Sequence, residues 1–165
     1  MKKIIASLIL AVMLFGPAQA NKSGKGELKL SKQMMTQVMM YMYGAGNPKY
    51  SGDEKKKHHP MVMAISKGGR FSSYYYCPYP TCEDGNEAYK AIQKCEKRSG
   101  GNTCYIFARK RKIVWDNGSP RKERKIKKNL LKDPYSVAKK IQDLGFYDGD
   151  ISELPGIDYK TGQKE

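Results

Sequence analysis

Four cysteines, Cys77, Cys82, Cys95 and Cys104, fall within 28 residues in the order C-x4-C-x12-C-x8-C, and the chain has no others. Whatever links them fixes the fold of that stretch. A structural zinc site uses two close C-x2-4-C pairs to present four thiolates to one tetrahedral ion. Here eight residues separate the second pair, so the spacing argues against zinc and no cofactor is implied. There is no C-x-x-C redox motif, and no cysteine has a histidine beside it in sequence. An even count in an exported chain reads as two disulfides. Of the three pairings that four cysteines allow, Cys77–Cys82 with Cys95–Cys104 is favoured. The first closes a Pro-containing turn and the second pins a helix to the next strand. The crossed pairing, Cys77–Cys104 with Cys82–Cys95, stays open if the flanking hairpins share a sheet.

The case for export rests on the first 20 residues, MKKIIASLILAVMLFGPAQA. Two lysines, an apolar run from Ile4 to Phe15, a Gly-Pro break and the triplet Ala18-Gln19-Ala20 read as a secretory leader cut after Ala20. The run is roughly a dozen residues, short of the about 20 that a membrane-spanning helix needs. The expected location is therefore periplasmic or secreted, an oxidising space in which disulfides persist.

Charge is the second constraint. The whole chain carries +15, and without its leader 29 basic residues face 16 acidic ones. The excess is uneven, because residues 133–165 are net −3 and residues 21–132 are net +16. Such a field favours anionic partners. An anionic envelope polymer or an acidic protein is favoured, and nucleic acid is compatible with the same charge.

Residues 21–27 lack periodicity and are expected to be mobile. Met35, Met39 and Met42 recur at helical spacing between a Ser31 cap and Gly44, which predicts a helix over 32–43. Unpatterned Gly, Pro and charge then predict a long surface loop up to Pro60. Lys67-Gly68-Gly69-Arg70 separates two short apolar or aromatic runs, predicting a hairpin with strands near 61–66 and 71–77. Ala88, Ala91, Ile92 and Cys95 form one helical face ending at Gly100-Gly101. Cys104–Ala108 and Ile113–Trp115 predict a second hairpin with a basic tip. Asp133 as cap and Pro134 at the first helical position open a short helix whose stripe is Val137, Ile141 and Leu144. The predicted fold class is α+β: a small antiparallel sheet of two hairpins with a helix packed on it, disulfide-stapled, plus an N-terminal and a short C-terminal helix. The predicted organisation is a leader (1–20), a flexible N-terminus (21–27), the α+β domain (28–118), a basic linker (119–132), and a C-terminal helix with a turn-rich tail (133–165).

The stretch NEAYKAIQKCEKRSGGNTCYIFARKRKIVW resembles a small exported proteobacterial domain of unknown function, of a marine alphaproteobacterial type. In that domain a helix bearing A-x-x-A-x-x-x-C leads through a glycine turn into a second cysteine and a strand. The resemblance implies that Cys95 and Cys104 are bonded and that a helix packs on a small sheet; it implies no activity. VAKKIQDLGFYDGDI, Val137 to Ile151, resembles the first half of the small peptidoglycan-binding domain. The chain departs from that domain where a further helix would be needed, ending instead in SELPGIDYKTGQKE.

No stretch matches the nucleophile, zinc-protease or phosphate-loop motifs, and the expected class is non-enzymatic, with no catalytic or metal-ligating residue nominated. His58 and His59 adjoin three lysines, which oppose protonation and cation binding. The methionines read as core, with soft-metal binding the competing chemistry. The candidate anion-binding set is Arg109, Lys110, Arg111, Lys112, Arg121, Lys122, Arg124, Lys125, Lys127 and Lys128. Tyr74 and Tyr76 share one strand face and form a candidate aromatic platform beside those cations. The sequence thus predicts a basic binding module of the envelope or the extracellular space. The alternatives are a peptidoglycan-associated structural protein, and a small enzyme or inhibitor without an identifiable site.

Overall fold

A computed structural model of the chain describes residues 22–44, 59–77 and 86–154. The leader, residues 45–58 of the loop expected up to Pro60, Cys82 and the end of the tail from residue 155 lie outside the described residues.

Helix α1, Lys32–Tyr43, begins where the Ser31 side chain accepts from the Met34 amide at 3.2 Å. That bond satisfies one of the amides a helix start leaves unpaired. The helix stops at Gly44, whose φ of 77° only glycine adopts cheaply, and whose N–H returns to the carbonyls of Met40 and Tyr41. Met34, Met35, Val38, Met39, Tyr41 and Met42 are buried, so the methionine spacing is a core face.

The strands are β1 (His59–Ser66), β2 (Ser72–Cys77), β3 (Cys104–Arg109) and β4 (Lys112–Ile113). They form one antiparallel sheet in the order β2-β1-β3-β4. Helix α2, Glu87–Arg98, connects the two hairpins, and helix α3, Pro134–Asp143, follows them. The fold is α+β, as the sequence predicts. With β1 and β3 in the middle, both sheet faces must be covered, and β1 is accordingly buried from Pro60 to Ser66. On one face Val62, Ala64, Cys104 and Ile106 meet Ala88, Ala91, Ile92 and Cys95 of α2. On the other, Met63, Ile65, Phe107 and Ile113 meet α1, α3 and the chain after it. Register shifts after Pro60 and after Met63 mark bulges. An extra residue lets neighbours share a face: Met61 with Val62 on the α2 side, Phe107 with Ala108 on the α1 side.

Cys95 and Cys104 are bonded, with Cα atoms 6.1 Å apart, and both are buried. The hairpins do share a sheet, yet the crossed pairing is not the one formed. Cys77 is also disulfide-bonded. Next to the buried bond the Cys104 amide donates to Glu96 Oε1 at 3.2 Å, tying the end of α2 to the start of β3. The cap of α3 is as predicted: Asp133 accepts from the amides of Tyr135 and Ser136.

Two segments differ from expectation. Residues 22–26, expected to be mobile, are laddered to the sheet. Because β4 pairs only with Ala108 and Arg109, the first half of β3 has an open edge. Lys22–Gly24 fills it, with Ile106 donating to the Lys22 carbonyl at 3.0 Å and Gly24 donating to that of Ile106 at 3.1 Å. Gly26 and Asp116 continue the pairing, and Trp115 Nε1 donates to the Gly26 carbonyl at 2.9 Å. Gly24 lies against the indole so closely that a Cβ there would stand 2.0 Å from Trp115 Cε3.

Residues 119–132, expected as a solvated linker, are likewise packed. Ile126 is buried in the α1-side core. Arg124 is only 6% exposed. Its Nη1 donates to the Trp115 carbonyl at 2.9 Å, its Nε to the Ser119 carbonyl at 2.9 Å, and its Nη2 to Asp116 Oδ1 at 2.6 Å. These bonds satisfy carbonyls that burial would otherwise strand. The apolar cluster continues without a break through Val137, Ile141, Phe146 and Ile151 to Leu154. No helix among the described residues is long and apolar enough to cross a membrane.

Three outcomes follow for stability. Gly24→Val must displace the Trp115 ring, and is expected to lower the unfolding free energy by about 3 kcal/mol in urea titration, at the upper end of ordinary overpacking. Arg124→Met strands the Trp115 and Ser119 carbonyls and is expected to cost about 2–3 kcal/mol. It should also reduce an acid-side pH dependence. The Arg124 bond, and then the Gly118 amide, hold the Asp116 carboxyl below its usual range. The associated stability is thus present above the ordinary carboxylate pKa and lost as pH falls through the depressed folded value. Replacing Cys95 and Cys104 together by Ala should cost about 2.5 kcal/mol, the loop-entropy expectation for a short closed loop.

Candidate anion-binding hairpin tip

The β3–β4 turn is braced from beneath. Lys110 has φ 51°, an uncommon value for a non-glycine residue. Its N–H donates to the Met61 carbonyl at 2.7 Å and its own carbonyl accepts from Tyr41 Oη at 2.9 Å. Arg111 folds back so that its Nε donates to the Met42 carbonyl at 3.0 Å, at the C-terminal end of α1. Burial of that guanidinium lowers its pKa, with Tyr41 opposing the shift. Main chain and Arg111 thus anchor the tip, and Lys110 is left exposed.

A further segment widens the tip. Ile113 donates to the Arg124 carbonyl at 2.9 Å and Ile126 donates to that of Arg111 at 2.8 Å, so residues 124–126 run along the free edge of β4. Side chains alternate along this edge: Arg124 and Ile126 point inward, Lys125 and Lys127 outward. Lys112 and Lys125 are directly paired across it. Like charges placed opposite each other on neighbouring strands repel. Lys110, Lys112, Lys125, Lys127 and Lys128 form no ion pair among the described residues.

The predicted cationic set therefore divides. Arg109, Lys110, Arg111, Lys112, Lys125, Lys127 and Lys128 gather at one end of the sheet, while Arg121 and Lys122 occupy the exposed turn that precedes Arg124. Arg124 does not belong to an anion-binding surface, because its donors are committed inside the fold. A sequence signal for this existed: one isoleucine two residues from an arginine in a lysine run is the period of a half-buried strand.

Tyr74 and Tyr76 do not form an open platform. They are partly buried under α1, with ring centroids 6.1 and 6.2 Å from that of Tyr41. Tyr76 Oη donates to the Met40 carbonyl at 3.1 Å and Tyr74 Oη to Gln37 Oε1 at 3.4 Å. Tyr75 lies on the other face, with Lys94 Nζ 5.7 Å from its ring centroid. In the segment resembling a peptidoglycan-binding domain, Val137, Ile141, Phe146, Tyr147 and Ile151 are all buried against this chain's own core. His59, expected in a loop, opens β1 and is exposed, while His58 lies outside the described residues.

Sequence reasoning missed an open cleft of about 860 Å³ where residues 25–29, 116–119 and 143–145 converge. Its wall mixes Lys25 and Lys29 with Glu27, Asp116 and Asp143, so opposite charges offset one another there. At the hairpin tip, by contrast, Lys110, Lys112, Lys125, Lys127 and Lys128 have no acid paired with them among the described residues. No family model, curated protein or solved structure matches the chain, so a reading of its function rests on this geometry alone.

Proposed function

We propose that the chain is an exported, non-enzymatic binding module that holds an anionic polymer of the envelope or extracellular space at the β3–β4 tip. The observation that carries this reading is the cross-strand Lys112–Lys125 pair, flanked by Lys110, Lys127 and Lys128 and without a carboxylate partner among the described residues. Such an arrangement costs stability in the free protein and is relieved when an anion lies across it. The buried Cys95–Cys104 bond supports export, since structural disulfides belong to oxidising compartments. An acidic protein surface offers the same complementarity, but a polymer supplies it repeatedly along one chain.

Counterion release makes the test quantitative. With about five cations engaged, affinity for fluorescein-labelled long-chain polyphosphate, followed by anisotropy, should fall about 100-fold between 50 and 200 mM salt. The Lys110→Gln, Lys125→Gln, Lys127→Gln triple variant removes exposed charge only. It should weaken binding at least 10-fold and shallow the log–log salt slope by about 2. A flat salt dependence, or a variant that binds like the parent protein, would overturn the reading.

A further inference from the structure

The opposite end of the sheet carries a second group of cations. Antiparallel pairing matches Ile65 with Ser72 and Ser66 with Cys104, so the β1–β2 turn and the α2–β3 connection meet at the end remote from Lys110. Lys67 N–H donates to the Thr103 carbonyl at 3.2 Å, joining the turn to that connection. Arg98 Nη1 donates to the Ser72 carbonyl at 3.2 Å, drawing the end of α2 onto the same corner. Lys67, Arg70, Lys94, Lys97 and Arg98 are all exposed, and none forms an ion pair among the described residues. The nearest acid on α2, Glu96, is turned to the Cys104 amide. Phe71, between Arg70 and the start of β2, is 40% exposed.

Basic residues in a last helical turn are expected on dipole grounds alone. That accounts for Lys97 and Arg98. It does not account for Lys67 and Arg70, which arrive from a different element and meet them at the same corner.

The two poles are separated by the length of β3. Its six residues at about 3.3 Å each place them roughly 20 Å apart. Screening at physiological salt acts over about 8 Å, so the poles do not merge into one footprint. A planar anionic surface would meet one pole and leave the other in solution. Linear strands can be gripped separately, one at each end, and the gain from counterion release is greatest where charges along the strand are closely spaced. The guanidinium forks of Arg70 and Arg98 suit phosphate oxygens.

We infer that the protein is bivalent: the Lys67/Arg70/Lys97/Arg98 corner docks a second strand of a linear, base-free phosphate polymer, so that one molecule bridges two strands. This rests on the tip binding a polyanion, and the experiment separates the two claims. Donor- and acceptor-labelled long-chain polyphosphates are mixed with the full mature chain, and energy transfer between strands is followed beside anisotropy of a single labelled strand. Bridging predicts transfer that rises at substoichiometric protein and collapses in excess, as each strand acquires its own protein. The Lys67→Gln, Arg70→Gln, Lys97→Gln variant, which alters exposed side chains only, should bind a single strand within 3-fold of the parent protein while transfer drops at least 10-fold. Single-strand binding without transfer, or transfer undiminished in the variant, overturns bivalency and leaves the tip reading standing. Absence of any single-strand binding overturns both. Transfer between labelled oligo-dT strands at 10-fold lower protein concentration than between polyphosphates would overturn the choice of occupant in favour of nucleic acid.

Discussion

The pairing of β1 with β3 is the constraint on which the other features depend. Either hairpin alone would be a two-stranded ribbon with one face to bury, and such ribbons are marginal in water. Joined through Val62–Arg109 at one end and Ser66–Cys104 at the other, they become a sheet with two buried faces. One face then requires α2, which the Cys95–Cys104 bond and the Glu96 carboxylate fasten at its C-terminal end. The other requires more apolar surface than α1 supplies. Residues after the hairpins provide it: Ile126, then the α3 stripe, then Phe146, whose ring meets that of Phe107 edge-on at 5.3 Å. The segment after Trp115 is thus part of the same body as the hairpins. Its basic composition hides two inward-facing residues in a strand-like alternation.

Periodicity made the regular elements legible, and its absence misled elsewhere. Helix α1 was readable because its cap, its methionine stripe and its terminal glycine agree on the same boundaries. Both hairpins and α3 were readable for comparable reasons. Residues 22–26 were not, because backbone bonds to Ile106 and Asp116 need no particular side chain. What fixes that segment is the close approach of Gly24 and Gly26 to Trp115, and a glycine in a polar stretch reads as a flexible loop until its neighbour is known. Arg124 failed for a different reason. A buried guanidinium is rare unless every donor has a partner. Those partners are Asp116 and the carbonyls of Trp115 and Ser119, and with the carbonyls carrying no sequence signature, only the two-residue alternation with Ile126 marked Arg124 as inward. For the candidate site, composition singled out the cations that gather at the tip, but it grouped with them the buried Arg124 and the separate turn of Arg121 and Lys122. It also passed over the remote corner, since Lys67, Arg70 and Arg98 become neighbours only through strand register.

The distribution of acids shows why the poles remain charged. Lys29 pairs with Asp148 at 2.7 Å, Lys32 with Glu153 at 3.3 Å, and Lys139 with Asp143 on α3. These pairs are exposed and contribute little to stability individually. Their consequence is electrostatic. The acid-rich C-terminal region packs beside α1 and the segment before it, and there it offsets the positive charge along one flank. Its carboxylates pair with Lys29, Lys32 and Lys139, residues outside both poles. Neutralisation is therefore selective, and the uneven charge seen along the sequence becomes a spatial division: a flank in which both signs meet, and two sheet ends in which one sign prevails.

That division limits what the cations can be for. Solubility is served by charge of one sign wherever it is placed, so it does not explain why lysines face each other at Lys112 and Lys125 while acids are spent on an adjacent flank. Spacing those lysines apart, or exchanging one for glutamate, would relieve the repulsion at no cost to the core, because both side chains lie on the outer side of the β4 edge. A cross-strand pair of like charge on a turn held rigidly by Tyr41, Arg111 and the Met61 carbonyl has no stabilising role in the free protein. The bonds made beneath the tip by Tyr41, Arg111 and the Lys110 amide hold the two lysines opposite each other, so the repulsion is built into the fold and not relieved by it.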